Sequence, residues 1–252
     1  MSKLRQAMIR AWLTVMMLLA VTAAAEPSAD ELRREGITAF RQGYRNWSPE
    51  EFGKAAWQFA QAVKREPASA ENHYWLGVAR FHRMLSYRHQ NPPQEQRAEN
   101  MMNQAIEAFE TAVHLAPAHA ECHALLGTLY GMKINGSMLR GIRYGPKVQE
   151  HQKQALAQGA KNPRVIYLLG ASRYHVAKDN HDFREALATL QKAAALFSDE
   201  TVAAPDCLKP LWGRSSCLTF IAHCHLRLGH QDQALNYYRQ ALELHPADHI
   251  AR

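Results

Sequence analysis

The spacing Ala234, Tyr238, Ala241, closed by Pro246, restricts this chain more than any other feature. Steps of four and three put these side chains on one stripe of a helix. The two alanines let a neighbouring helix come close, and the tyrosine fills the space between them. Pro246 has no amide proton and biases the residue before it away from helix, so the helix should end near His245. A second helical pattern, beginning near Ser215, joins the first through Leu228-Gly229-His230. A helical hairpin this short cannot hide both of its apolar faces and needs a copy of itself alongside.

The rest of the chain supplies the copies. Gly43, Ala55, Phe59, Ala62 and Pro67 fall on the same ruler, as do Gly77, Ala105, Phe109, Ala112 and Pro117. A third unit opens at Ala120 with Leu126-Gly127 and closes near Ala155, Ala157 and Asn162-Pro163. A fourth carries Leu169-Gly170, Ala186, Leu190 and Ala193 but no closing proline. A period near 34 residues, with Leu-Gly in the first helix and Ala, aromatic, Ala, Pro in the second, resembles the tetratricopeptide repeat (TPR). The resemblance covers nearly the whole chain after residue 25. It implies an all-α fold: a right-handed superhelical array of about five hairpins, over residues 36–69, 70–119, 120–162, 163–198 and 215–248. Repeats two and three are longer than the family's spacing, through Asn91-Pro92-Pro93 and through a Gly-rich stretch with Gly131, Gly136, Gly141 and Gly145. Both insertions read as long connections. The Gly145-Pro146-Lys147 element after the third leading helix is also similar to a group of exported bacterial TPR proteins.

Residues 1–25 stand outside the repeats. Lys3, Arg5 and Arg10 precede a short apolar run, which ends in Ala23-Ala24-Ala25 before Glu26. A basic start, an apolar core and small residues at the end form a secretory signal peptide, too short for a comfortable span of roughly 20 residues. The expected location is therefore the periplasm of a Gram-negative cell, with secretion as the other destination and no stable membrane insertion after cleavage. Removing the three leader cations leaves 27 basic residues against 23 acidic ones, spread along the chain. That is a solvated surface and not a nucleic-acid footprint.

In TPR proteins the leading helices line the concave face, and the register assigns residues to it. The resemblance implies a partner-binding lining of Tyr44, Tyr74, Phe81, His82, Tyr167, Tyr174, His175, His223 and Arg227. Aromatic and arginine side chains combine large contact area with a polar handle, which suits peptide recognition. A second candidate is the segment 135–147, where Arg140, Arg143 and Lys147 could receive an acidic group. It is no nucleotide loop, since GxxxxGK[ST] is missing. No capping helix follows Pro246, so the last repeat offers a face for a partner or for self-association.

Chemistry finds few footholds. His119, Cys122 and His123 share one side of a helical turn and have donor types suited to zinc or copper. A metal-handling protein is accordingly the second functional reading. His223, Cys224 and His225 are too close in sequence to face one ligand. Cys207 and Cys217 flank a proline-containing linker and form the best disulfide pair, with Cys207 and Cys224 as the alternative; Cys122 and Cys224 lie two repeats apart. No nucleophile elbow occurs, and Glu110, Glu121 and Glu185 read as helix-surface carboxylates. The expectation is a non-enzymatic scaffold without a cofactor, holding a protein or peptide partner in the cell envelope.

Overall fold

A computed structural model describes residues 26–200 and 210–248. The signal-peptide reading of residues 1–25, and Cys207, fall outside those residues. Ten helices are described and pair into five hairpins. They are α1 (Ala29–Asn46) with α2 (Pro49–Arg65), α3 (Ala70–Arg88) with α4 (Glu95–Leu115), and α5 (Ala120–Ile134) with α6 (Met138–Gly159). The last two pair α7 (Pro163–Val176) with α8 (Asn180–Ser198), and α9 (Arg214–Arg227) with α10 (Gln231–Leu244). Among the described residues no helix is long and apolar enough to cross a membrane.

Local chemistry places the helix ends. The side chains of Ser28, Ser48, Ser69, Ser137, Asn162 and Asp179 each accept a bond from a backbone N–H of the helix they precede. Such caps satisfy donors that have no partner inside the first turn. Pro49 and Pro163 sit just inside their helices, where a missing N–H costs nothing. Glu66, Ala116 and His245, each followed by proline, leave the helical region with ψ of 77°, 84° and 85°.

The repeat ruler has a steric meaning. Phe109 of α4 presses on Gly77 of α3 so closely that a Cβ there would fall 2.5 Å from the ring. Phe59 and Gly36 repeat the arrangement at 2.6 Å. Both rings are fully buried and belong to one core that runs from Ile37 to Cys224. Ala55, Ala62, Ala105, Ala112, Ala186 and Ala193 are buried too, as close helix approach requires.

The two insertions differ from expectation. In the second repeat the extra length extends the helices to 19 and 21 residues, and the connection around Pro92 is only 89–94. In the third, the Gly-rich segment read as a loop is mostly helix: Gly131 lies in the last turn of α5, Gly136 lies in a short turn, and α6 runs through Gly141, Gly145 and Pro146. Packing against α5 overrides the intrinsic helix cost of these residues: Tyr144 stacks on Tyr130 at 5.7 Å, and Lys133 lies over the Tyr144 ring.

Candidate functional site

The inner face is built by the leading helices, and its first half is already occupied. Trp212, entering from the stretch before α9, is 2 % exposed. Its indole N–H donates to the Tyr74 hydroxyl at 3.3 Å, and its ring meets His82 at 5.5 Å. The next amide, Gly213, donates to the Tyr44 hydroxyl at 3.4 Å. Tyr167 lies beside the same glycine. From the other end of the chain His245 stacks on the Tyr44 ring at 4.6 Å and bonds the Tyr44 backbone carbonyl. The last repeat is thus joined to the first.

Tyr74, Phe81 and His82 therefore do not line an open trough, whereas Tyr44 and Tyr167 are half-buried at its edge. Tyr74, Phe81 and His82 are 2 %, 6 % and 3 % exposed. Burial raises the hydroxyl pKa of Tyr44, Tyr74 and Tyr167 and pulls that of His82 down to about 4. Burial thus favours the neutral form of all four groups.

Below Trp212 lies an ionic network that sequence reasoning missed. Glu121, expected on the surface, is buried. It accepts from Tyr74, from Asn162 at 2.8 Å and from Arg164 Nε at 3.0 Å. Arg164 continues to Glu200 and, at 3.4 Å, to the Trp212 carbonyl. Burial works against the guanidinium charge, but Glu121 and Glu200 outweigh it and hold Arg164 charged. One signal was available: Arg164 directly follows a helix-starting Asn-Pro, where a cation is unfavourable unless a carboxylate is close.

The remaining inner-face residues form a second group that stays accessible. Tyr174 and His223 are half-buried; His175 and Arg227 are exposed. They gather on Phe220, which Tyr174, His175 and His223 approach at 5.5, 5.4 and 5.6 Å. The Arg227 guanidinium lies 4.9 Å over the Phe183 ring. Burial lowers the His175 pKa and raises that of Tyr174.

The other candidates separate. Arg140, Arg143 and Lys147 sit on helix α6 and not on a loop. Lys147, itself exposed, reaches the Tyr130 hydroxyl at 3.1 Å and Glu110 at 3.8 Å, and Arg143 packs over Tyr144. His119, Cys122 and His123 also diverge. His119 caps α5, accepting from the Cys122 amide at 3.4 Å, while His123 bonds Pro117 O at 2.9 Å and His151 at 3.0 Å. Cys122 is fully buried, with its thiol pKa raised well above the ordinary value by burial. Among the described residues the one group spaced for a cation is Asp179, His181 and Asp182, an exposed helix cap. Cys217 is a free, buried thiol donating to the Leu190 carbonyl at 3.4 Å, and its expected partner Cys207 lies outside the described residues.

With this geometry in hand, the sequence can be placed. The family model for Regulator of microtubule dynamics protein 1-3 matches residues 78–250, more than half of the chain. The protein belongs to this family. No curated protein matches the sequence. Among solved structures it is similar to TTC0263, a thermophilic TPR protein of Thermus thermophilus, at 21% identity and a TM-score of 0.62, over 89% of this chain and 95% of that one. It also resembles the HusA haemophore of Porphyromonas gingivalis at 17% identity and a TM-score of 0.62, over 81% and 96% of the two chains. Cut9, in the APC/C hetero-tetramer Cut9-Hcn1, aligns at 19% identity and 0.53, with 85% of this chain on 34% of that one. At such identities the likeness concerns the fold, and it confirms a TPR-like helical array.

Proposed function

We propose that this member of the family is an exported scaffold of the cell envelope, which holds a protein or peptide segment at the open end of its inner face. The observation that carries the reading is the division of that face. Its first half is filled by Trp212 and His245, while Tyr174, His175, His223 and Arg227 remain within reach of a partner. Aromatic rings beside an arginine are the composition of interaction hot spots. The export part of the proposal rests on the pattern of residues 1–25 and predicts a mature chain that starts at Glu26.

In-cell photocrosslinking from position 175 tests the binding surface. A discrete adduct with a second protein, weakened by Arg227→Glu, is the expected result. Arg227 is exposed, so helix content should not change. An adduct unaffected by Arg227→Glu, or no adduct beyond copies of the chain itself, would place the partner elsewhere. N-terminal sequencing of the mature protein tests export separately.

A further inference from the structure

On the outer side of the array, α6 and α8 stand apart over α7 and leave a groove of about 780 Å³. Leu156, Leu169 and Val176 line it, and Val176 is 69 % exposed to water. Three cations, Lys153, Arg173 and Lys192, stand around this apolar lining, with Glu185 as the one carboxylate among the lining residues. Arg173 is oriented by a 2.8 Å bond to Thr189 across the groove.

Beyond the groove, the same face of α6 continues toward Met138. Met138, Ile142, Gly145, Gln149, Gln152 and Leu156 follow one another along α6 at steps of three and four, so they share a stripe. At 1.5 Å per residue that stripe is about 27 Å long. Its outer end carries Met138 and Ile142, 82 % and 71 % exposed. A Cβ added at Gly145 would meet nothing within 4 Å. A solvated helix normally turns charges outward along such a face; this one is uncharged, with exposed Met138, Ile142 and Leu156 at its two ends, which marks an interaction site.

The shape and charge select the occupant. A long groove between two helices accepts a third helix, whose own apolar residues recur every three or four positions. Its flanks must be acidic to meet Lys153, Arg173 and Lys192. A second copy docking the same face would set these cations against their own symmetry mates. A bilayer surface cannot enter a recess floored by α7. We propose that the groove between α6 and α8 docks an acidic amphipathic helix of a partner protein. Lying on the outer side of the array, it is a second docking surface besides the patch at Tyr174 and Arg227, and two surfaces let one chain bridge two proteins.

The test uses the mature full chain and a fluorescent helical peptide of about five turns, with leucines at three-four spacing and glutamates on both flanks. A second peptide carries lysine at the glutamate positions. Anisotropy titration should show the acidic peptide binding, with affinity falling as salt rises. The double variant Lys153→Glu/Lys192→Glu should weaken it at least about tenfold and improve binding of the lysine peptide. Leu156→Asp should remove binding, whereas Arg227→Glu should leave it unchanged. All four positions are solvent-exposed, so circular dichroism should match the parent. Equal binding of both peptides, no binding of either, or affinity unmoved by these groove variants would overturn the proposal. So would sedimentation with anionic vesicles, or concentration-dependent mass, that Leu156→Asp abolishes; these would assign the face to a membrane or to a second copy.

Discussion

His82 shows how one buried side chain couples this fold to pH. It is packed among Phe40, Tyr44 and Trp212, with Nδ1 bonded to the Val78 carbonyl at 2.9 Å. Burial, aided by His245, pulls its pKa from the ordinary 6.5 to about 4, against the opposing pull of the Val78 bond. The unfolded chain therefore binds a proton that the folded chain refuses. The stabilisation is complete above pH 6.5, drains away as pH falls toward 4 and changes little below that. Its full size is about 3 kcal/mol. Urea unfolding at several pH values should show this loss, and His82→Phe should flatten it. His151, His175 and His225, also lowered chiefly by burial, act in the same direction and set the slope that remains. An unchanged pH dependence in His82→Phe would mean that this imidazole is hydrated. The Glu121–Arg164 pair belongs to the same scale. Each residue alone reads as ordinary helix surface, and only their meeting across 43 positions makes them a buried ion pair.

At the scale of the helix, two kinds of glycine have opposite roles. Gly77 is a socket for the Phe109 ring, so Gly77→Ala must displace a fully buried aromatic and should cost about 1–3 kcal/mol. Gly141 and Gly145 sit in α6 with nothing closer than 3.9 Å to a new Cβ, and Ala there should each add about 0.5–1 kcal/mol. Thermal unfolding of the three variants checks both signs at once. The sequence shows the first kind plainly, because glycine, alanine and aromatic recur on a fixed ruler. It disguises the second. Gly141, Gly145 and Pro146 carry every local sign of a loop, and what makes them helical is the Tyr130–Tyr144 stack and the Lys147 bond to Tyr130 across the hairpin. Propensity is local, and that packing is not.

At the scale of the molecule, the array is closed upon itself. The stacking of hairpins follows from the repeat, and so does the convergence of Tyr44, Tyr74, His82 and Tyr167. Their covering does not. Trp212 belongs to a proline-flanked stretch with no helical period, and it meets Tyr74 over 138 positions of sequence, as His245 meets Tyr44 over 201. No pattern within a repeat encodes a contact between its ends. This closure turns Tyr74, Phe81 and His82 of the expected binding face into core and leaves the end at Tyr174 and Arg227 open. The most direct measurement is amide and indole hydrogen exchange by NMR, with the Trp212 indole signal assigned through Trp212→Phe. Strong protection of the Trp212 indole proton, lost together with protection near Tyr44, is the predicted result; exchange as rapid as that of an exposed indole would contradict the closed inner face.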